Sequence, residues 1–353
     1  FSDSVYIDRL SRIPAVMEMP YNDIVRKFID MYAGRLRNQV SFMLSACNFY
    51  MPIFEEALDA YGLPLELKYL PIIESALNPS AVSRAGASGL WQFMIGTGKI
   101  YGLESNSLID ERRDPIKATW AAARYLKEMY DIYGDWNLVI AAYNCGPGTI
   151  NKAIRRAGGE TDYWKIYNLL PKETRGYVPA FIAANYVMTY YCDHNICPME
   201  TNIPASTDTV QVTQNLHFEQ IAELCNVPLD EVKSLNPQYK KQIIPGTTKP
   251  CTLRLPQGAI SAFIDKQDTI YAHRADELFR NRKTVAVKEI TPATRRQTSA
   301  IAGKGKLTYY KIKSGDTLSS IAEKLGVRVR DIQQWNGMSN TRISAGKQLK
   351  IYK

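Results

Sequence analysis

The chain has 353 residues, of which 45% are hydrophobic and 22% charged, an ordinary balance for a globular protein with material for two or three domains. No run approaches the roughly 20 uninterrupted apolar residues of a membrane-spanning helix, which excludes such a helix from this sequence. The net charge of +9 favours acidic partners such as nucleic acid, anionic lipid or an anionic cell-wall polymer, but its local excess around 279–297 reads as a solvated basic linker, and no recognition-helix or RNA-binding signature supports nucleic acid.

In chain order, residues 1 to about 200 read as mostly helical. Residues 1–44 are expected to form helices that brace the domain after them. In "LPLELKYLPIIESALNP" (63–79), Leu67, Leu70, Glu74 and Leu77 fall at helical spacings compatible with one face. Pro71 either kinks that helix or begins a new one. A carboxylate therefore stands at 74, where an apolar face would hold Leu or Ile. "SLIDERRDP" (107–115) reads as a solvated loop and helix start, with arginines compensating Glu104, Asp110, Glu111 and Asp114. "IKATWAAARYLKEMYDIYG" predicts a helix with Ile116, Trp120, Ala123, Leu126, Tyr130 and Tyr133 on one stripe and Gly134 as its stop. "WNLVIAAYNCGPG" is a short apolar helix halted at Gly146-Pro147-Gly148. "YVPAFIAANYVMTYY" is apolar nearly all round and hence expected to be buried.

The chain begins at Phe1 without a signal peptide, so a targeting segment is expected to have been removed or to lie outside it, and a lipid-anchored N-terminus upstream stays open. The six cysteines, an even count, permit disulfides in an oxidising compartment. Cys192 and Cys197 in "CDHNIC" are close enough to bridge a turn, and Cys225 and Cys251 fall within one module. His194 between the first pair is too little for a zinc site. No metal and no cofactor is expected.

After about 205 the texture changes, and the tail repeats itself. "IAELCNVPLDEVKSLNP" from Ile221 aligns without gaps on "IAEKLGVRVRDIQQWNG" from Ile321. Each copy is preceded by a β-rich segment and followed by a short strand, "CTLRLP" or "KQLKIY". Strand, helix, helix, strand describes a small α+β (βααβ) module. Residues 259–305, polar and basic, read as a linker between modules at 205–258 and 306–353.

The second copy, "YKIKSGDTLSSIAEKLGVRVRDIQQWNGMSNTRISAGKQLKI", resembles the LysM family nearly throughout. The first looks like a diverged LysM copy, with "TQNLHFEQIA" in place of "KSGDTLSSIA". That resemblance implies binding of N-acetylglucosamine-containing glycans, with Gly315, Asp316, Thr317, Asn336 and Ile343 as the contacts in the second copy. A pure spacer role stays open, more so for the first copy.

Four motifs run in order: Glu74-Ser75, "GLWQFM" (89–94), "AAYNCGPG" (141–148) and "KETRGYVP" (172–179). Together they resemble the lytic transglycosylase family over about residues 45–190. The resemblance implies a mainly α, lysozyme-like catalytic domain (45–204) that cleaves the β-1,4 bond between N-acetylmuramic acid and N-acetylglucosamine in peptidoglycan. The product carries a 1,6-anhydro end. It further implies Glu74 as acid and then base, with Ser75, Gln92, Met94, Tyr143, Asn144, Glu173 and Tyr177 binding and orienting substrate. The expected location is the bacterial cell envelope, in the periplasm.

The residues fit that chemistry on their own terms. A leaving oxygen must be protonated as its bond breaks, which needs a carboxylic acid still protonated near neutral pH. Desolvation raises a carboxyl pKa, and Glu74 stands among Leu67, Leu70, Ile73 and Leu77. Most glycosidases use a second carboxylate, and none pairs with Glu74 in the motif pattern. Trp91 reads as core packing. A hydrolase resembling goose lysozyme and a non-enzymatic peptidoglycan-binding protein remain as alternatives.

Overall fold

The structure is a computed structural model that describes residues 1–201, 203–280, 307–313, 316–327, 329–336, 338, 343 and 346–352. The chain divides into two units, Phe1–Ile290 and Thr291–Lys353.

The first unit opens with helices alone: α1 (Asp3–Ser11), α2 (Asp23–Ala33), α3 (Arg37–Ala60), α4 (Leu70–Ser75), α5 (Ile95–Ile100), α6 (Pro115–Tyr133), α7 (Trp136–Cys145), α8 (Pro147–Arg156), α9 (Tyr163–Ile166) and α10 (Lys172–Thr189). Buried on nearly every face, as its composition predicts, α10 packs against α2, α4 and α7. The main core gathers round it and includes Phe54, Leu58, Leu67, Trp91, Leu126 and Phe181.

Pro71 begins a helix instead of kinking one. A 3-10 turn over Leu65–Tyr69 precedes α4, in whose first turn Pro71 sits. The helix ends at Ser75 because Ala76 and Leu77 both take left-handed backbone, with φ of 51° and 59°. Leu77 is buried but shares no helix with Glu74, which stands in the last turn of α4.

Helix α6 starts as predicted, with Asp114 accepting from the amides of Ile116 and Lys117 and Gly134 ending it in left-handed conformation. Its buried face differs from the expected stripe. Ile116 and Trp120 are exposed, while Ala118, Ala121 and Ala122 are buried. Helix α6 packs against both α3 and α7, and small alanines allow close approach on both sides.

A βααβ module follows in the same unit: β1 (Thr207–Val212), β2 (Asn215–His217), α11 (Phe218–Cys225), α12 (Leu229–Leu235), β3 (Ile243–Pro245) and β4 (Cys251–Pro256). Strands β1 and β4 pair antiparallel, Thr207 opposite Pro256. The segment after 256, read as linker from 259, is instead helical to Leu278: α13 (Gln257–Asp265), α14 (Gln267–Ala272) and α15 (Ala275–Leu278). Phe263 and Ile270 anchor these helices in the module's core. Leu108 and Ile109 of the catalytic domain are buried in that same core. The 104–114 segment is therefore not solvated: Asp110, Glu111 and Arg112 are buried there.

The second unit repeats the pattern with β5 (Leu307–Lys311), α16 (Leu318–Leu325), α17 (Val329–Trp335) and β6 (Gln348–Tyr352). Leu318, Ile321, Ile332 and Ile351 form its core.

All six cysteines are free, so Cys192 and Cys197, though close enough in sequence to bridge a turn, form no disulfide. Backbone contacts hold this turn without a covalent link: Asn195 takes left-handed backbone, buried Ile196 turns into the core, and Ser41 donates to the Cys197 carbonyl. Cys225 and Cys251 are buried separately. Among the described residues no helix is long and apolar enough to cross a membrane, and no cluster of His, Cys, Asp or Glu is placed to hold a metal.

Candidate active site

Glu74 opens from the end of α4 onto a cavity of about 400 Å³ whose walls include Tyr32, Gln39, Met43, Ser75 and Gln92. Part of the residue is accessible from the cavity, yet protein surrounds its carboxyl. Desolvation pushes the pKa up to about 7, the negative charge of Glu173 adds to the rise, and a hydrogen bond from Tyr177 opposes it. That bond runs from the Tyr177 hydroxyl, on α10, to Glu74 Oε1. Tyr143, at the end of α7, is packed close enough for the Glu74 charge to add to the effect of burial on its own pKa, which lies well above the usual phenol value. Its hydroxyl donates to the Trp91 carbonyl at 2.6 Å.

The 86–93 turn faces Glu74 and is built with little freedom. Gly89 has φ of +89°, and a Cβ there would lie 1.7 Å from the Arg112 carbonyl oxygen, so only glycine fits. Gln92 also has positive φ, at 49°. Its Nε2 donates to the Gly89 carbonyl at 2.8 Å, closing the turn that carries it. Trp91 is fully buried and donates to Thr119 at 2.9 Å, a core residue as expected.

The predicted site residues are not all alike in place. Glu74, Ser75 and Gln92 line the cavity, and Tyr177 and Tyr143 sit behind the carboxyl. The resemblance implies that Ser75 binds and orients substrate. Its hydroxyl instead faces the carbonyls of Leu90 (2.9 Å) and Pro71 (3.0 Å), tying α4 to the turn. Asn144 accepts from the Thr174 hydroxyl at 3.0 Å, which joins α7 to α10. Glu173 is exposed and acts on Glu74 through its charge. Met94 is exposed at the start of α5, off the cavity wall.

Residues 1–44, read as a brace, also supply the opposite wall through Tyr32, Leu36 and Gln39. With Met43 they are spaced four, three and four apart, a helical spacing that was the available signal although the break between α2 and α3 falls inside it. A larger cavity of about 1070 Å³ lies beyond the 77–80 segment, between α3 and α12. It holds none of the predicted site residues.

In the second unit, side chains expected to hold glycan build the module's own turns. Asp316 accepts from the Lys313 amide at 2.8 Å and from Tyr310 at 3.0 Å, and Thr317 accepts from the Ser320 amide at 3.1 Å to cap α16. Asn336 donates to Ile332 and Lys350 carbonyls and accepts from the Lys350 amide, so its amide group is fully engaged. Asn236 makes the equivalent three bonds in the first module. Ile343 packs on the core, and Gly315 lies outside the described residues.

Comparison with known proteins gives the family and its domains. Residues 51–166 match the transglycosylase SLT domain, 206–272 the LysM-like domain of lytic transglycosylase MltD, and 310–351 the LysM domain. The chain is 30% identical over 341 residues to membrane-bound lytic murein transglycosylase D of Escherichia coli K12, covering 95% of this chain and 70% of that one. It belongs to the lytic transglycosylase family. The soluble lytic murein transglycosylase of the same strain is 33% identical over 124 residues, 33% of this chain and 19% of that one. The crystal structure of the 70 kDa soluble lytic transglycosylase Slt70 from E. coli is similar over 43% of this chain and 26% of that one, at 28% identity and a TM-score of 0.35. The transglycosylase described here thus joins a mainly helical catalytic domain to a LysM-like and a LysM module.

Proposed function

We propose that Glu74 is the single acid and base of a peptidoglycan lytic transglycosylase. Glu74 gives its proton to the glycosidic oxygen as the bond from C1 of N-acetylmuramic acid to N-acetylglucosamine breaks. Positive charge gathers at C1. The 6-hydroxyl oxygen of the same muramic acid then bonds to C1, and its proton passes to the Glu74 carboxylate. The acid is restored, the product carries a 1,6-anhydro ring, and no water is consumed. The observation that carries this reading is a carboxyl tuned to about 7, the one acid among the residues lining its cavity. A pKa near the working pH serves both donation and recovery of a proton. Tyr177 orients the carboxyl, Ser75 and Gln92 hold the turn in place, and Tyr143 buttresses both.

The substrate implies action in the periplasmic cell envelope, on glycan strands held by LysM recognition, with or without a lipid anchor upstream. Turnover of purified sacculi by Glu74→Gln tests the assignment. A loss of at least about a thousandfold is expected, in line with removal of the sole proton donor. Turnover equal to the parent's would refute it.

A further inference from the structure

The first module does not present its loops as an open groove. The segment before α11 is zipped to the segment after α12: Asn215, Leu216 and His217 pair with Pro245, Ile244 and Ile243. Leu216 and Ile244 are fully buried. A Cβ on Gly246 would lie 2.3 Å from the Gln214 carbonyl oxygen, so the closure is tight.

The rest of the segment after α12 grips the catalytic domain. The Lys240 amide donates to the Leu108 carbonyl at 2.6 Å, and the Asp110 amide donates to the Gln238 carbonyl at 2.8 Å. Lys240 Nζ donates to the Asn106 carbonyl at 2.9 Å and stands 3.8 Å from Asp110. Lys249 pairs with Glu104 and lies 3.6 Å from Glu111.

The gripped loop reaches the active site through two arginines, Arg112 foremost. Asp110 accepts from Arg112 Nε and Nη2 at 2.9 and 2.8 Å. Arg112 Nη1 donates to the carbonyls of Gly86 (2.8 Å) and Phe93 (2.9 Å), the two ends of the turn that bears Gln92. Arg113 donates to Ser88 within that turn at 3.0 Å. Ser75 and Tyr143 hang from the same turn, at Leu90 and Trp91. Ionic and hydrogen-bond contacts, joined through the backbone of the 86–93 turn, thus connect Lys240 on the module to Ser75, the neighbour of Glu74.

We infer that the first LysM-like module is a positioning device of the catalytic domain, holding the 86–93 turn in register with Glu74 through Lys240, Asp110 and Arg112. The inference rests on the assignment of Glu74 given above. Misplacement of such a turn by about 1 Å is enough to cost up to a hundredfold in rate.

The test uses the full chain, with kcat and KM measured on short soluble peptidoglycan strands and retention measured on sacculi. For Lys240→Ala, kcat is expected to fall about tenfold with KM within about twofold and retention unchanged, and Lys240→Arg to recover most of the loss. Lys240→Ala combined with Arg112→Lys is expected to be no slower than Arg112→Lys alone, because both act on one path. If Lys240→Ala does not fold, Lys240→Met, which keeps the apolar stem and removes the charge, carries the same comparison. Unchanged kcat, or lost retention with kcat intact, overturns the inference. Glu74→Gln assayed alongside separates the failures: if it is inactive while Lys240→Ala runs at full rate, only this inference falls.

Discussion

A carboxyl that must give a proton and take one back is useful only if both forms are within reach at the working pH. Burial supplies this at Glu74 and exacts a cost in stability. The unfolded carboxyl titrates near 4.5 and the folded one near 7, so the folded state binds the proton more tightly. The stability Glu74 contributes is fully present below about 4.5 and is lost as pH rises through about 7. Glu74→Gln, which has no charge to desolvate, is predicted to match the parent's stability at pH 4.5 and exceed it at pH 8 by up to about 3 kcal/mol. Calorimetric melting at the two pH values measures this, and equal melting at pH 8 would contradict a desolvated carboxyl. Glu74 was legible in the sequence because a carboxylate interrupts an apolar pattern and three further motifs follow it. The bonds that join Ser75 to Leu90 and Asn144 to Thr174 were not legible, because each partner lies far away in the chain.

Among the elements, two short ones set the site: α4, stopped by left-handed residues after Ser75, and the glycine-bearing turn opposite it. Gly89→Ala is predicted to destabilise the fold by at least about 2 kcal/mol, because positive φ and a backbone overlap with Arg112 act together. Denaturant unfolding checks this, and a change under about half a kcal/mol would mean that the turn adjusts more freely than its packing indicates. Helix limits marked by Gly134 and Pro147 were readable because these residues act through their own backbone geometry, whereas Pro71 left both a kink and a new start open. The buried face of α6 was not, since packing on two neighbours favours alanine over the larger apolar residues. Nor was the wall formed by Tyr32 and Gln39, whose stripe is interrupted by the break between α2 and α3.

For the whole molecule, the repeat was plain in the sequence, but the docking of its first copy was not. Three of the bonds across that contact end on backbone carbonyls, of Leu108, Gln238 and Asn106, and leave no side-chain signature. The charges at 104–114 looked solvated because charged residues usually are. We propose that wall binding belongs to the C-terminal LysM module, whose attachment to the same chain raises the local concentration of the catalytic domain over an insoluble polymer. Deleting 291–353 is predicted to weaken retention on sacculi about tenfold or more while leaving kcat on short soluble strands within about twofold. Equal losses in both assays would refute that division.

In the proposed reaction one carboxylate and the substrate's own hydroxyl do the work for which hydrolases enlist water. Digestion of sacculi in heavy-oxygen water, read by mass spectrometry, separates the two chemistries. Only 1,6-anhydro ends without label are expected, and reducing ends carrying heavy oxygen would refute the assignment.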